Sequence, residues 1–377
     1  MTSSSAAGVS VADALAAVVL VLHAGVLGVL ALNVRHGWRT RRSDHSARAR
    51  GLRVSVLVPA RNEEANLARL LPSVLSQQGV DFELVVVDDA SEDGTARVLA
   101  DHADPRLVAV ASAGPPAGWV GKTHALHTAA ARATGDVFVC LDADAVLRDD
   151  RALARLAGRW AHYGGAGTAL TGLPHYLDRG PALLLTGLVP FAVMAALPVP
   201  LVPRTSSPAL SALNGQVWTI GAPDYRRLAP HAAHADEVLE DVMIGRFLKR
   251  SGLRLHFDDL QRDVAVKMYG SFGEAWRGFR KNAYLLAGGT PARAAAFFAL
   301  YGLVWVAPSV LWATGPLGLA SLATLALAKG VVDRSQGFPL WTTLAAPAAL
   351  ALGAALQADS AVAHARGRVA WKGRAVG

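Results

Sequence analysis

At residues 84–95 the chain reads LVVVDDASEDGT, a short apolar run that ends in two aspartates and a turn-forming segment. Two other apolar runs are of the same kind: Val54–Val58 is followed by Pro59, and Val137–Leu141 is followed by Asp142. A stretch that suits a helix comes after each of them. Continuous apolar strands that alternate with helices indicate a parallel sheet covered on both faces. The sequence therefore predicts an α/β fold in which these runs are strands.

Acidic residues follow the predicted strands, and ligands of such sheets bind beyond the carboxyl ends of the strands. We therefore expect these acids to face one crevice. In Asp142-Ala143-Asp144 the spacing puts two carboxylates on one side, which suits Mg²⁺ or Mn²⁺. A cation held there would bridge a diphosphate and neutralise charge on a departing nucleotide. The alternative interpretation is a solvated acidic turn, because such triplets are common.

Asp88 and Asp89 also lie at a predicted strand end. One of them is expected to accept hydrogen bonds from a ribose or a base, and the other to lie near the metal. The alternative is structural: Ser91 or Asp93 would cap the next helix by accepting backbone N–H bonds. Both interpretations can hold together.

The segment PARNEE at 59–64 follows the first predicted strand and is interpreted in the same way. Asn62 is predicted to cap the next helix, while Arg61 and Glu63 face the crevice. Lys122, in the segment WVGK at 119–122, is predicted to stand at a helix start, where free backbone N–H groups and an ammonium make an anion site. The alternative for Lys122 is a solvated surface lysine.

Glu240 and Asp241 lie on a predicted amphipathic helix at 236–250. Displacing a nucleotide from a sugar carbon needs a base that takes the proton of the attacking hydroxyl. Asp241 is the predicted base, with Glu240 beside it. The alternative is an acidic first turn that is favourable to the helix dipole.

Composition and apolar runs favour a membrane protein. Hydrophobic residues make up 52% of the chain and charged residues 18%, against about 25% charged in average globular domains. Ala14–Leu32 is long enough for one span, and basic residues follow it instead of preceding it, which argues against a signal peptide. Seven arginines between Val34 and Val54 place the next domain in the cytoplasm. Nucleic-acid binding is the alternative for this basic segment, and no nucleic-acid partner is expected. The one cysteine, Cys140, is predicted to be buried.

Further apolar regions follow the acidic motifs. Ala294–Ala328 is divided at Gly315-Pro316 and predicts a helical hairpin, and Leu340–Ala358 predicts one more span. Pro181–Pro203 carries five prolines, so a re-entrant or interfacial segment is expected there. Three spans would leave the basic tail outside, against the charge rule. One segment is therefore expected not to cross, and the sequence does not tell which.

Taken in order, the motifs resemble those of family 2 glycosyltransferases, whose nucleotide-binding fold is called GT-A. The shared motifs are VSVLVPARNEE at 54–64, VVVDDASEDGT at 85–95, GK at 121–122, DAD at 142–144 and ED at 240–241. Finer features are similar to a membrane-bound branch that includes hopene-associated and carotenoid (diaponeurosporenoate) glycosyltransferases. They are GWVGK at 118–122, NGQ at 214–216, EDVMIGRFLKRSG at 240–252, MYGSFGEAWRGFRKN at 268–282 and WKGR at 371–374.

The resemblance implies a role for individual residues. It assigns Asp142 and Asp144 to the DXD metal site, Asp241 with Glu240 to catalysis, and Lys122 to the donor. The other implied substrate-binding residues are Pro59, Ala60, Arg61, Glu63, Asp88, Asp89, Gln216, Trp276 and Lys281. It also implies inversion by a single displacement. The Q-x-x-R-W motif of processive synthases is absent, which favours one transfer to a lipid.

The predicted organisation has five parts: an anchor at 1–34, a basic juxtamembrane segment at 35–52, a GT-A domain at 53–290 with an apolar insertion at 181–203, transmembrane helices at 291–360 and a basic tail at 361–377. The predicted function is transfer of a sugar from a nucleotide-diphosphate sugar to a carotenoid-type or hopanoid-type lipid, by a multi-pass protein of the cell membrane. The alternatives are a polyprenyl-phosphate sugar transferase, a nucleotidyltransferase and a non-catalytic membrane scaffold.

Overall fold

The computed structural model describes residues 10–367, 370–371 and 374–375. The chain divides into two compact units. The α/β unit contains Leu32–Arg179 and Leu197–Gly270. The helical unit contains the segment that ends at Ala31, then Gly180–Ala196, and then the segment that begins at Ser271. In the predicted basic tail, Arg368 and Lys372 lie outside the described residues, as does part of the WKGR motif.

Both units contain α-helices. They are Val11–Arg42 (α1), Glu64–Leu75 (α2), Thr95–Ala100 (α3), Gly121–Arg132 (α4), Ala152–His162 (α5), Leu183–Thr186 (α6), Leu188–Ala196 (α7), Ala222–Leu228 (α8), Glu240–Arg250 (α9), Phe272–Leu286 (α10), Pro291–Tyr301 (α11), Pro308–Leu311 (α12), Pro316–Gln336 (α13), Leu340–Leu344 (α14) and Ala346–Ala365 (α15). Short 3₁₀ turns occur at Ser46–Ala49, Gly180–Ala182, Val199–Arg204, Pro208–Leu210 and Trp312–Thr314, and a π-helical turn at Gly302–Val306.

The strands form two sheets in the α/β unit and a short pair near the end of the chain. They are Arg53–Ala60 (β1), Asp81–Asp89 (β2), Leu107–Ser112 (β3), Val137–Leu141 (β4), Ala145–Leu147 (β5), Thr168–Leu173 (β6), His175–Tyr176 (β7), Val217–Gly221 (β8), Arg254–Asp259 (β9), Val264–Val266 (β10), Ala370–Trp371 (β11) and Arg374–Ala375 (β12). The main sheet has the order β3-β2-β1-β4-β8-β6-β9, the second sheet has the order β5-β10-β7, and β11 pairs with β12.

The predicted strands lie side by side at the centre of the main sheet. β1 pairs in parallel with β2 on one side and with β4 on the other. Their apolar residues are almost completely buried because helices cover the sheet, as continuous apolar strands require. Cys140 of β4 is buried, as predicted, and burial raises the pKa of its thiol. The predicted α/β fold with a parallel sheet is confirmed.

Three predicted element ends were wrong. β2 includes Asp88 and Asp89, which were predicted to stop the strand. β1 continues through Pro59. Proline has no N–H to donate, and it is tolerated here because the pairing of β1 with β4 already ends at Leu57. The predicted helix at 236–250 begins only at Glu240. The preceding residues form a loop, and the carbonyl of Ala235 in that loop accepts the N–H of Val120 at 2.7 Å.

The C-terminal part of α1 belongs to the α/β unit and docks there through polar contacts. The Asn33 amide donates to the Leu197 carbonyl at 2.7 Å and accepts the N–H of Val199 at 2.9 Å. Arg41 pairs with Asp259 at 2.5 Å. Helix α1 thus continues from the predicted anchor at 1–34 into the predicted basic segment at 35–52.

Three helices in the described part of the chain are long and apolar enough to cross a membrane: α1, α13 and α15. A bent pair, Pro291–Val306 and Pro308–Thr314 with 41° between its arms, would make a fourth if it crosses as one span. The predicted break at Gly315-Pro316 is confirmed, since α13 begins at Pro316. Residues 180–196, part of the predicted insertion, form only short apolar helices.

Candidate active site

Arg61 joins the two loops that follow β1 and β2. Its guanidinium donates to the main-chain oxygens of Asp89 and Ala90 at 2.8 and 2.7 Å, and it pairs with Glu92 at 3.2 Å. Both Arg61 and Asp89 are buried. These bonds hold the guanidinium against the neighbouring loop, so Arg61 shapes the end of the sheet. Its predicted contact with a nucleoside stays a prediction.

Main-chain N–H groups of each loop are bound by side chains of the other loop. Asp93 accepts the N–H of Glu64, the first residue of α2, at 3.2 Å. Asn62 accepts the N–H of Glu92 at 2.8 Å. The predicted capping of α2 by Asn62 is therefore wrong, because Glu63 occupies the N-cap position and the free N–H is satisfied from the neighbouring loop.

The remaining predicted residues of the nucleoside site lie at the same strand ends. Ala60 stands next to Asp88 in the β1–β2 register, one position after the pair of Pro59 and Val87. Asp88 accepts the N–H of Ser91 at 3.0 Å, which fixes the turn after β2. The structure thus brings both strand ends together, and their predicted binding of a nucleoside stays a prediction.

Lys122 connects two acidic motifs that are far apart in the chain. Its Nζ lies 2.9 Å from Oδ1 of Asp142 and 3.0 Å from Oε1 of Glu240. Burial by itself lowers the pKa of Lys122, but the charges of Asp142, Glu240 and Asp241 raise it well above its ordinary value. The side chain is 19% exposed and stays charged. The alternative of a solvated surface lysine is therefore wrong.

The loop before α9 fixes the start of α4, where Lys122 stands. The carbonyl of Ala235 accepts the N–H of Val120 at 2.7 Å and the hydroxyl of Thr123 at 2.8 Å. Since α9 begins five residues after Ala235, these bonds tie the lysine-bearing helix to the helix that carries the predicted base.

Asp241 is held by main-chain donors at the start of α9. Its Oδ2 accepts the N–H of Gly215 at 3.2 Å, and its Oδ1 accepts the N–H of Val242 at 2.8 Å. Burial, together with the charge of Glu240, raises the pKa of Asp241 to about 6, although Lys122 and the two N–H groups oppose the rise. A carboxylate with such a pKa is ionised at neutral pH and still accepts a proton readily.

The loop 214–216 lies against the side chains of Lys122 and Asp241. A Cβ at Gly215 would lie 3.0 Å from Nζ of Lys122 and 3.3 Å from Cβ of Asp241. The carbonyl of Gln216 accepts the N–H of Asp142 at 3.1 Å, and its side chain contacts Asn214. The predicted residue Gln216 is therefore a neighbour of Asp142. The motif NGQ at 214–216 contains Gly215, but no role was predicted for this glycine.

Asp142 and Asp144 follow β4 at alternate positions. Among the residues that the structure describes, no three His, Cys, Asp or Glu side chains are grouped to hold a metal ion. Two carboxylates still fit Mg²⁺ or Mn²⁺, because such ions take one or two protein carboxylates and complete their shell with water and substrate phosphates. Asp142 already binds one positive charge, the ammonium of Lys122, so its carboxylate is placed to accept a cation.

Trp276 and Lys281 lie on α10 in the helical unit. Nε1 of Trp276 donates to Asp359 of α15 at 2.8 Å, and the guanidinium of Arg280 lies 3.9 Å from the same carboxylate. These contacts fix the indole against α15. The predicted substrate contacts of Trp276 and Lys281 stay predictions.

Comparison with known proteins gives a family match and several relatives. The model of the family described as Glycosyl transferase family 2 matches residues 55–182. A 4,4'-diaponeurosporenoate glycosyltransferase from Staphylococcus haemolyticus (strain JCSC1435) is 29% identical over 217 residues, which are 57% of this chain and 56% of the relative. One from Staphylococcus aureus (strain N315) is 25% identical over 279 residues, 72% of this chain and 70% of the relative. The chain thus spans little more than half the length of the first relative.

A solved structure with a similar fold is a mannosyltransferase from Pyrobaculum calidifontis in complex with GDP-Man and Mn²⁺. It has a TM-score of 0.53 and 22% identity, and the match covers 93% of this chain and 99% of that chain. This likeness shows the fold. Together with the family match, it confirms the predicted resemblance to family 2 and the predicted GT-A type of fold.

Proposed function

We propose that this chain, whose residues 55–182 match the family 2 glycosyltransferase model, transfers a sugar from a nucleotide-diphosphate sugar to a membrane lipid. One observation carries the proposal: the partly buried cluster of Asp142, Lys122, Glu240 and Asp241 at the carboxyl ends of the parallel strands. Such a cluster combines a carboxylate base, Asp241, with the ammonium of Lys122, which can bind anionic phosphates in the same crevice.

The chemistry is a single displacement with inversion at the sugar carbon. The acceptor oxygen forms a bond to the anomeric carbon, while the bond from that carbon to the phosphate oxygen breaks. Asp241 takes the proton of an acceptor hydroxyl, and the electron pair of the broken bond leaves with the nucleoside diphosphate. Lys122 donates to the departing phosphate, and the strand-end residues around Asp89 bind the nucleoside.

Asp142 and Asp144 would hold Mg²⁺ or Mn²⁺, which neutralises charge on the diphosphate when it is bound. The support is the donor set of this chain, two carboxylates after a buried strand, one of which already pairs with a cation. The Mn²⁺ named in the neighbouring structure belongs to that protein. It makes Mn²⁺ a natural first ion for the test.

The proposed acceptor is a lipid hydroxyl or carboxyl of the carotenoid or hopanoid type. The names of the two curated relatives and the three helices long enough to span a membrane support a lipid. We place the catalytic domain at the cytoplasmic face of the cell membrane, because the arginines follow the first apolar segment.

The test uses membranes that contain the full chain, incubated with labelled UDP-, GDP- or dTDP-sugars, with and without a chelator. We expect one donor to label the lipid extract and the chelator to abolish the label. A label that resists mild alkali but is released by mild acid as free sugar would indicate a polyprenyl phosphate acceptor. If no donor labels any lipid, the proposed function is wrong, and if the chelator has no effect, the metal is wrong.

The rate of transfer to a hydroxyl acceptor is expected to fall below about pH 6. Burial and Glu240 raise the pKa of Asp241 to about 6, so the protonated and inactive form increases as the pH falls through that value. The quantity kcat/KM should drop about tenfold per pH unit below it and stay level above it. Initial rates from about pH 4.5 to about pH 8 test this. A level profile down to about pH 5 would contradict the assignment of Asp241 as the base.

A further inference from the structure

The docked end of α1 has two different faces, and one of them is bonded to the α/β unit. Nε2 of His36 donates to the carbonyl of Phe257 at 3.0 Å, and the hydroxyl of Thr40 accepts the N–H of Asp259 at 3.1 Å. A Cβ at Gly37 would lie 3.3 Å from Oδ2 of Asp259, so the backbone also approaches closely here. These docked residues recur at helical spacing, so the opposite face of the helix points away from the unit.

The opposite face of this helix end carries three arginines and a tryptophan. They stand at positions i, i+3, i+4 and i+7, which form one stripe on a helix: Arg35, Trp38, Arg39 and Arg42. All four side chains are exposed, and Trp38 is 58% exposed. The guanidinium of Arg42 lies over the ring of Trp38, 4.0 Å from its centroid. We call these four residues the arginine face.

The arginine face has no acidic partner among the residues that the structure describes. The chain carries seven arginines at 35–53, and two of those outside this face form ion pairs in the α/β unit. Arg41 pairs with Asp259, and Arg53 pairs with Asp81. The three arginines of the face have no such pair within residues 10–367. Like charges three and four residues apart destabilise a helix, so an anionic partner would stabilise this surface.

The arginine face follows directly after the apolar segment of the same helix. That segment ends at Leu32, and at about 1.5 Å per residue Arg35 stands about 5 Å beyond it and Arg42 about 15 Å beyond it. The headgroup layer of a bilayer is about 5–8 Å thick on each side. The negative potential of anionic lipids extends about 8–10 Å further at physiological salt. The guanidinium groups of the face therefore lie within reach of the headgroups when α1 spans the bilayer.

We propose that the arginine face binds the phosphates of anionic phospholipids in the membrane that holds α1. The inference goes beyond sugar transfer and rests on the proposed membrane location. Guanidinium groups form paired hydrogen bonds with phosphate, and tryptophan favours the headgroup level because its ring is apolar and its N–H is polar. Since the other face of the same helix end is bonded to the α/β unit, the bound lipids restrain that unit at the membrane surface.

The alternative is that these arginines only set the direction in which α1 inserts into the membrane. A basic segment does this during insertion and needs no lasting contact with a particular lipid. In that case the folded chain has no preference among lipid headgroups. A measurement of headgroup preference therefore separates the two interpretations.

The experiment uses the purified full chain in phosphatidylcholine vesicles that contain a trace of spin-labelled phosphatidylglycerol or spin-labelled phosphatidylcholine. Electron paramagnetic resonance gives the fraction of each label that the protein immobilises, and from it the ratio of the two association constants. We expect a ratio of about 3 or more in favour of phosphatidylglycerol, which falls toward 1 in about 1 M salt because the charges are screened.

The test variant replaces the three arginines of the face together, as Arg35→Gln, Arg39→Gln and Arg42→Gln. We expect the ratio to fall below about 1.5, since each arginine near the surface contributes to the attraction. The other four of the seven arginines at 35–53 remain, so the direction of insertion is kept.

A matched control removes the same charge from exposed positions of α4 and α9, as Arg132→Gln, Arg246→Gln and Arg250→Gln. Its ratio should stay within about 1.3-fold of that of the unchanged protein. An equal fall in both triple variants would show that only net charge matters and would overturn the inference. The same holds for a ratio near 1 in the unchanged protein, or for an unchanged ratio in the test variant.

Sugar transfer is assayed separately, because the lipid measurement contains no sugar donor. If lipid extracts are labelled but the chain shows no headgroup preference, this inference is wrong and the proposed transfer stands. If the preference is found and lost as expected but no donor labels any lipid, the arginine face stands and the proposed function fails.

Discussion

Asp241→Asn is expected to lower the rate of sugar transfer to a hydroxyl acceptor by about 10²- to 10⁴-fold, the usual contribution of a general base. Asparagine has nearly the same shape but cannot take the proton. Of the two N–H groups that Asp241 now accepts, from Gly215 and Val242, the single amide oxygen keeps one. Thermal unfolding should therefore be measured beside the rate, in single-turnover assays with the full chain.

The control for this prediction is Asp236→Asn. Asp236 is an exposed aspartate in the loop before the same helix, and its replacement should change the rate by less than about twofold. A loss of less than tenfold in Asp241→Asn with a hydroxyl acceptor would show that another group takes the proton. That result would contradict the role of Asp241 as a base.

Asp263→Ala is expected to lower the free energy of unfolding by about 3–5 kcal/mol, because it removes the buried carboxylate that two buried guanidinium groups share. Oδ1 of Asp263 lies 2.5 Å from Nε of Arg155, and Oδ2 lies 2.9 Å from Nη2 of Arg159. All three side chains are buried. Tryptophan fluorescence during urea unfolding in detergent measures the change.

Asp81→Ala is the matched control, since it removes an ion pair of the same kind from the surface. Asp81 pairs with Arg53 at 3.2 Å, and its side chain is 65% exposed. Exposed pairs contribute between about 0 and 1 kcal/mol, so the control should unfold almost like the unchanged protein. Equal effects of the two replacements would show that the Asp263 network does not depend on burial.

The sequence predicted the central strands because burial on both faces requires an unbroken apolar run. Val54–Val58, Leu84–Val87 and Val137–Leu141 contain such runs, and each lies in a strand of the main sheet. It also predicted that the acids after these runs gather at one edge, since parallel strands have their carboxyl ends together. Asp142 and Asp89 could be located in this way from local pattern alone.

The contacts of individual side chains could not be predicted in the same way. A lysine after a glycine is compatible with both a solvated and a buried ammonium, and only the folded chain brings Lys122 to Glu240, a distant residue in sequence. The local pattern around Arg61 likewise did not predict that its guanidinium binds the carbonyls of Asp89 and Ala90.

The sequence by itself determined the order of strands and helices, the apolar segments and the positions of the acids, because these follow from hydrophobic pattern and chain direction within a few residues. The tertiary structure alone decided which charges pair. It placed Lys122 between Asp142 and Glu240, Gly215 beneath Asp241, and the end of α1 on the α/β unit. The physical reason is that pairing depends on distances between residues remote in the chain, which only packing fixes.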